Sequence, residues 1–243
     1  NRFHTITIDE AQDVSASEIE LVRLHAQNTI LVGDESQTEK STGLGSWSKL
    51  AVKDTFTDGV ALKIFQLRHN FRQTYELGNV SYNYRQLLLN RTVEDIKSDY
   101  FDDQIGFNKP SLKLISKDED FIILVKERIR YINEAFSKAF PLVIFYENMS
   151  SLNRFENILR NESFTICIDE KIKSECTILF VNIQEIAGRE FPVVLAPLTE
   201  ATTPNTIYIM LSRANFDLTL FTDIENKIDY YVANLCNLGL IKS

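Results

Sequence analysis

Two short apolar runs, each ending on an acid, constrain this chain more than any other feature. Residues 3–8 read FHTITI and lead straight into Asp9-Glu10, while residues 29–33 read TILVG and stop at Asp34. Unbroken runs rich in β-branched residues are the pattern of strands covered on both faces, as in a parallel sheet. In such sheets ligands gather at the carboxyl ends of the strands, where these acids fall. An aspartate there can hold Mg²⁺, a hard cation that takes oxygen ligands. The glutamate that follows can orient or activate an attacking water. The plainer reading is that the acids only complement the amino-terminal dipole of the next helix. The repeated acid ending, with Gln37 shortly after Asp34, favours a site.

The rest of the chain alternates between two periodicities. Ser15 and Glu18 have the spacing of a capping box, opening a short helix whose buried side is expected at Leu21, Val22 and Leu24. Residues 38–48 are polar and rich in Gly and Ser, and read as a loop, as do the polar residues 92–110. Strands are expected at 61–67, 111–116, 142–146, 164–168, 177–183, 193–197 and 217–221. Helices are expected from Arg72 for about 20 residues and at 119–137, 150–161, 205–214 and 223–236. This alternation predicts an α/β fold with a mainly parallel sheet and flanking helices.

Composition narrows the partners. The chain has 243 residues, 44% of them hydrophobic, enough for one large or two modest cores. Its net charge of −8 argues mildly against nucleic-acid binding by bulk electrostatics, although a local groove can still be basic. There is no apolar run of about 18 residues and no signal-type leader, so no membrane contact and a cytoplasmic location are expected. Cys167, Cys176 and Cys236 are odd in number and form no CxxC pair, which predicts reduced thiols. With three His they offer no metal constellation. The abrupt start at Asn1, almost on a strand, reads as a fragment of a longer protein.

ITIDEAQD followed by ILVGDESQ resembles motifs II and III of superfamily 1 DNA helicases of the UvrD/Rep type. Three more segments continue the series in order: LRHNFRQT at 67–74 resembles motif IV, FVNIQEIAGREFPVVLAPL at 180–198 motif V, and IYIMLSRANFDLTLF at 207–221 motif VI. The resemblance implies a RecA-like P-loop NTPase fold, with residues 1–55 the C-terminal remnant of a first RecA-like domain and 60–243 a complete second one. It also implies an ATP site with Mg²⁺ between two such domains. Asp9 would hold the metal, Glu10 would be the base-like carboxylate, and Gln37 would contact the γ-phosphate. Arg72 and Arg213 would be arginine fingers and Glu190 would meet the ribose. Asp34 and Gly188 would lie beside the nucleotide. Phe71 stands where the family usually has the tyrosine that stacks on adenine. Nucleic-acid contacts are implied for Trp47, Asn182 and Gln184, and Trp47 serves equally well as a core or interface anchor. A planar guanidinium suits a trigonal phosphoryl group, but for any single arginine a surface or structural role is the commoner one.

The chain departs from the family in informative ways. The phosphate-binding loop GxxxxGK[ST] is absent, and Lys40-Ser41 and Lys49 lack its glycine pattern. This chain is therefore not expected to hydrolyse ATP without the missing N-terminal part of the same protein. Where motif V usually runs Thr, His, Lys, Gly, Leu, Glu, this chain has Asn182, Gln184, Ala187, Gly188, Arg189 and Glu190. Most basic and hydroxyl groups that would meet a DNA backbone are gone. Lys40 replaces an aromatic after motif III. The short spans between motifs IV, V and VI leave no room for a large accessory domain. With the Gly/Ser loop and Ser46-Trp47, this compact form is similar to the HelD branch, which includes RNA-polymerase-associated proteins. The leading expectation is an ATP-dependent DNA helicase or translocase, and the alternative is a HelD-like factor that remodels RNA polymerase. A carboxylate-only phosphohydrolase built on Asp9, Glu10 and Asp34 is the third.

Overall fold

The computed structural model describes residues 2–34, 43–44, 73–88, 109–136, 140–169, 176–186, 188–223 and 230–242. The chain falls into two compact units, Asn1–Leu67 and Arg68–Ser243. The expected strand at 61–67 lies outside the described residues, as does nearly all of the 38–48 loop.

In the first unit, β1 (Phe3–Ile8) and β2 (Ala26–Leu31) pair in parallel, from Phe3 opposite Ala26 to Ile8 opposite Leu31. Between them runs α1 (Ala16–His25). Its start is fixed as the sequence implies: Ser15 Oγ accepts from Glu18 N, and the Glu18 carboxylate accepts from Ser15 N at 2.9 Å. Two expectations fail. The inward residue of α1 is Ile19, fully buried with Leu44 and against Ile8, Val14 and Leu31. Leu21 and Leu24 are 58% and 63% exposed, because two and five residues on, at about 3.6 per turn, they face away from that cluster. Nor is β1 a fully covered strand, since Phe3 is 66% exposed; among the described residues, β2 is the strand beside it and α1 the helix between them. Its partner starts at Ala26 rather than 29.

Among the described residues, the second unit holds a six-stranded, all-parallel sheet in the order β3-β8-β7-β4-β6-β5. Its strands are β3 (Ser111–Leu114), β4 (Leu142–Tyr146), β5 (Ile166–Ile168), β6 (Ile178–Asn182), β7 (Phe191–Pro197) and β8 (Ala214–Thr222). Its helices are α2 (Tyr75–Leu88), α3 (Asp118–Ala135), α4 (Met149–Leu159), α5 (Pro204–Arg213) and α6 (Tyr230–Asn237). Every residue of β4 is buried, and its side chains divide by parity between two cores. Val143 and Phe145 join Leu77 and Val80 of α2, Ile207 and Leu211 of α5 and Leu235 of α6. Leu142 and Ile144 join Phe121 and Val125 of α3 and Leu152 and Phe155 of α4. Strands sandwiched in this way read as continuous apolar runs.

One charged pair crosses the second core. Asp217 of β8, 2% exposed, accepts from Arg128 Nη1 of α3 at 2.8 Å. Burial raises the Asp217 carboxyl above its ordinary range, and Arg128 opposes that shift. A raised folded-state value means that the stability Asp217 contributes is complete below its unfolded pKa and is lost as pH rises through the folded one. Arg128→Met strands the carboxylate without its counter-charge. The expected result is a loss of about 3–5 kcal/mol in urea unfolding at neutral pH. The loss shrinks on acidification, as Asp217 takes up a proton. A penalty that does not vary with pH would show that packing around Arg128, not the buried charge, is what the residue supplies.

Candidate functional site

The first unit presents its acids at the carboxyl end of β1. Asp9 is exposed, and Glu10 turns the chain into a short 3-10 helix, Ala11–Asp13, from the left-handed region at φ 50, ψ 41. A non-glycine residue there is strained and must be held by its surroundings. The hold comes from the strand that ends beside it. Val32 N donates to Ile8 O and Ala11 N donates to Val32 O, each at 2.9 Å, extending the ladder past both strands. Gln12, 2% exposed, then closes the corner. Its Nε2 donates to Glu10 Oε2 at 2.7 Å and its Oε1 accepts from Asp34 N at 3.1 Å. Asp34 N can only donate, which fixes the orientation of the amide. Gly33 permits this approach, since a Cβ there would lie 2.1 Å from Gln12 Oε1. Gln12 thus joins the two acid-ended segments, a link the sequence reading missed; its trace is the glutamine two residues beyond Glu10 together with Gly33. Gln37 and Trp47 lie outside the described residues.

In the second unit, the neighbouring strands β7 and β8 start side by side, with Phe191 paired to Ala214. Glu190 and Arg213 are the residues immediately before that pair, so both stand at the amino end of the sheet. Gly188, at φ 71, makes the turn into β7, and this left-handed backbone suits glycine. Arg189 stacks over the Phe191 ring at 5.3 Å. A shallow hollow of about 390 Å³ opens here, with Phe140, Pro141, Glu190 and Pro192 in its lining. Arg213 ends α5 and is 3% exposed. The segment before α2 is fastened to the same place. Gln73 Nε2 donates to Leu211 O and to Ala214 O, each at 2.8 Å, and Thr74 N donates to Asn215 O at 3.0 Å. Arg72 and Phe71 lie outside the described residues, but the residue after Arg72 is anchored on both sides of Arg213.

Asn182 and Gln184 stand at the opposite, carboxyl end of the sheet. Asn182 Oδ1 accepts from Gln184 N at 3.0 Å, opening a short 3-10 helix, Ile183–Glu185. Asn182 N donates to Asp169 Oδ1 at 3.2 Å, and Tyr146 OH donates to Asp169 Oδ2 at 3.0 Å. Asp169, at φ 52, is a second strained non-glycine residue. Burial first, and then the Asp169 hydrogen bond, push the Tyr146 hydroxyl up to about 12. At the ends of β4 and β7, Thr199 and Thr202 both donate to the Glu147 carboxylate. Among the described residues, the charged groups beside Asn182 are carboxylates: Asp169, which accepts from Asn182 N, and Glu147, one residue past its strand partner Tyr146. Among the described residues, no group of three or more His, Cys, Asp or Glu could hold a metal ion, and Cys167, Cys176 and Cys236 are free thiols. Nor is any described helix long and apolar enough to cross a membrane.

The architecture is that of an α/β protein whose mainly parallel sheet is flanked by helices. Among solved structures, the chain is similar to the C-terminal domain of a possible DNA helicase from Lactobacillus plantarum WCFS1, at 13% identity and a TM-score of 0.53, over 71% of this chain and 98% of that one. At that identity the likeness is one of fold. Comparison with protein-family models and with curated proteins gives no match.

Proposed function

We propose that this chain is the C-terminal part of an ATP-dependent superfamily 1 DNA helicase or translocase of the UvrD/Rep type, comprising the end of one RecA-like domain (1–55) and a second RecA-like domain (60–243). One observation supports this reading above the rest: Glu190, Arg213 and the segment following Arg72, far apart in sequence, meet at the amino edge of β7 and β8. In this reading Asp9 would hold Mg²⁺, Asp34 would lie beside the nucleotide, and Glu10, which accepts from Gln12, would orient the attacking water. In this reading Gln37, Arg72 and Arg213 neutralise charge on the transferring phosphoryl group, Glu190 contacts the ribose and Phe71 the base. Mg²⁺, which Asp9 would hold, would neutralise charge on the phosphates. Trp47, Asn182 and Gln184 touch the nucleic acid. Arg213 must turn outward from its 3% exposed position to act. The test is ATP hydrolysis by the full-length protein with and without single-stranded DNA. Stimulation by DNA is expected, and absence of hydrolysis under both conditions would discard the proposal.

The acids around Asn182 favour a second reading, a HelD-like factor that uses ATP to remodel RNA polymerase. Among the described residues there, Asp169 and Glu147 carry charge that opposes a phosphodiester backbone. Hydrolysis indifferent to DNA, with co-purification on RNA polymerase at low salt, would select this reading over the first.

A further inference from the structure

We infer that Gln73 is a positioning residue for Arg213, fixing the junction between α5 and β8 through a buried relay from Ser81. The inference rests on the nucleotide reading, which gives Arg213 its task. The carbonyls in the last turn of a helix lack partners within that helix. Here α5 passes straight into β8, with Ala214 already extended at φ −90, ψ 135. Both protons of the Gln73 amide are used, one on Leu211 O inside the helix and one on Ala214 O inside the strand. A simple helix cap would need only the first. The second bond crosses the junction, so the pair sets the angle at which Arg213 leaves the helix. Because carbonyls only accept, the Gln73 NH₂ must face them and its Oε1 must face away. Oε1 lies 3.0 Å from Ser81 Oγ, whose single proton it shares with Leu77 O at 2.9 Å. Gln73 and Ser81 are 9% and 5% exposed, so water competes little with these bonds.

Gln73→Met keeps the length of the side chain and removes both donors. In the full-length protein, kcat for ATP hydrolysis is expected to fall about tenfold or more, with KM within about twofold. The double variant Gln73→Met/Arg213→Ala should be no slower than Arg213→Ala alone, since the amide acts through the guanidinium. A merely structural role would give losses that multiply. Should Gln73→Met fold poorly, Ser81→Ala is expected to show the same non-additivity, and Ser81→Thr, which keeps the hydroxyl, to restore the rate. A second readout, the Arg213 Nε–H nuclear magnetic resonance of this chain, is independent of catalysis and should shift or broaden in Gln73→Met or Ser81→Ala. Arg213→Ala with wild-type turnover would sink the nucleotide reading, and the resonance would then decide the positioning claim. A resonance unchanged in the variants, or multiplying kinetic losses, overturns the claim itself.

Discussion

Arg213→Ala in the full-length protein is expected to lower kcat for ATP hydrolysis by about 10³-fold or more, the scale on which arginine fingers act. The transferring phosphoryl group spreads its charge over three equatorial oxygens as it parts from the leaving group, and a guanidinium placed against them acts mainly at that moment. KM should therefore change far less than kcat. Arg213→Lys should not rescue, since a point charge lacks the fork that spans two oxygens. The side chain is almost fully buried, so its removal will also destabilise the fold. Urea unfolding and nucleotide binding measured alongside separate the two effects. A variant that stays folded, binds nucleotide and turns over within about threefold of wild type would remove Arg213 from the reaction.

Glu10→Gln should lower turnover by about 10²–10⁴-fold, the range of general-base catalysis, while nucleotide affinity is retained. Glutamine is nearly isosteric, and its amide oxygen can still accept from Gln12 Nε2, so the corner between β1 and the 3-10 helix survives. What is lost is the second carboxylate oxygen and its negative charge, which a water needs when it gives up a proton. Single-turnover phosphate release isolates the step. An unchanged rate there would leave Glu10 a structural residue whose strained backbone has some other use.

The sequence makes the second unit legible because its central strands are covered on both sides. LVIFY in β4 and ILFVN in β6 are continuous apolar runs, and the structure buries every residue of the first and all but Asn182 of the second. Strand β8 is expected from Asp217 but starts at Ala214, because its pairing with Phe191 of β7 carries the ladder back across Asn215 to the end of α5, a contact that no local pattern signals. The face of α1 was misread because two exposed leucines outweigh one isoleucine in a pattern, although only Ile19 reaches the small core beneath. Gln12 and Gln73 were invisible for a different reason. A neutral amide carries neither charge nor periodicity, and its meaning lies in its partners. Those of Gln73 lie 138 and 141 residues away. That of Gln12 at Asp34 lies 22 residues away.

The passage from β6 to β7 has a mechanical consequence. Val143 is level with Leu179 on one side and Val194 on the other, so Asn182 stands level with Pro197, six positions above Phe191 (197 − 191 = 6). The connection must therefore descend about 20 Å and step across β4. It has nine links for the journey (191 − 182 = 9), reaching about 30 Å if fully stretched. A 3-10 turn and a left-handed glycine use up part of that length. Little slack is left, so this tether ties the asparagine at one pole of the sheet to the glutamate at the other, and a displacement at either end is felt along its whole length.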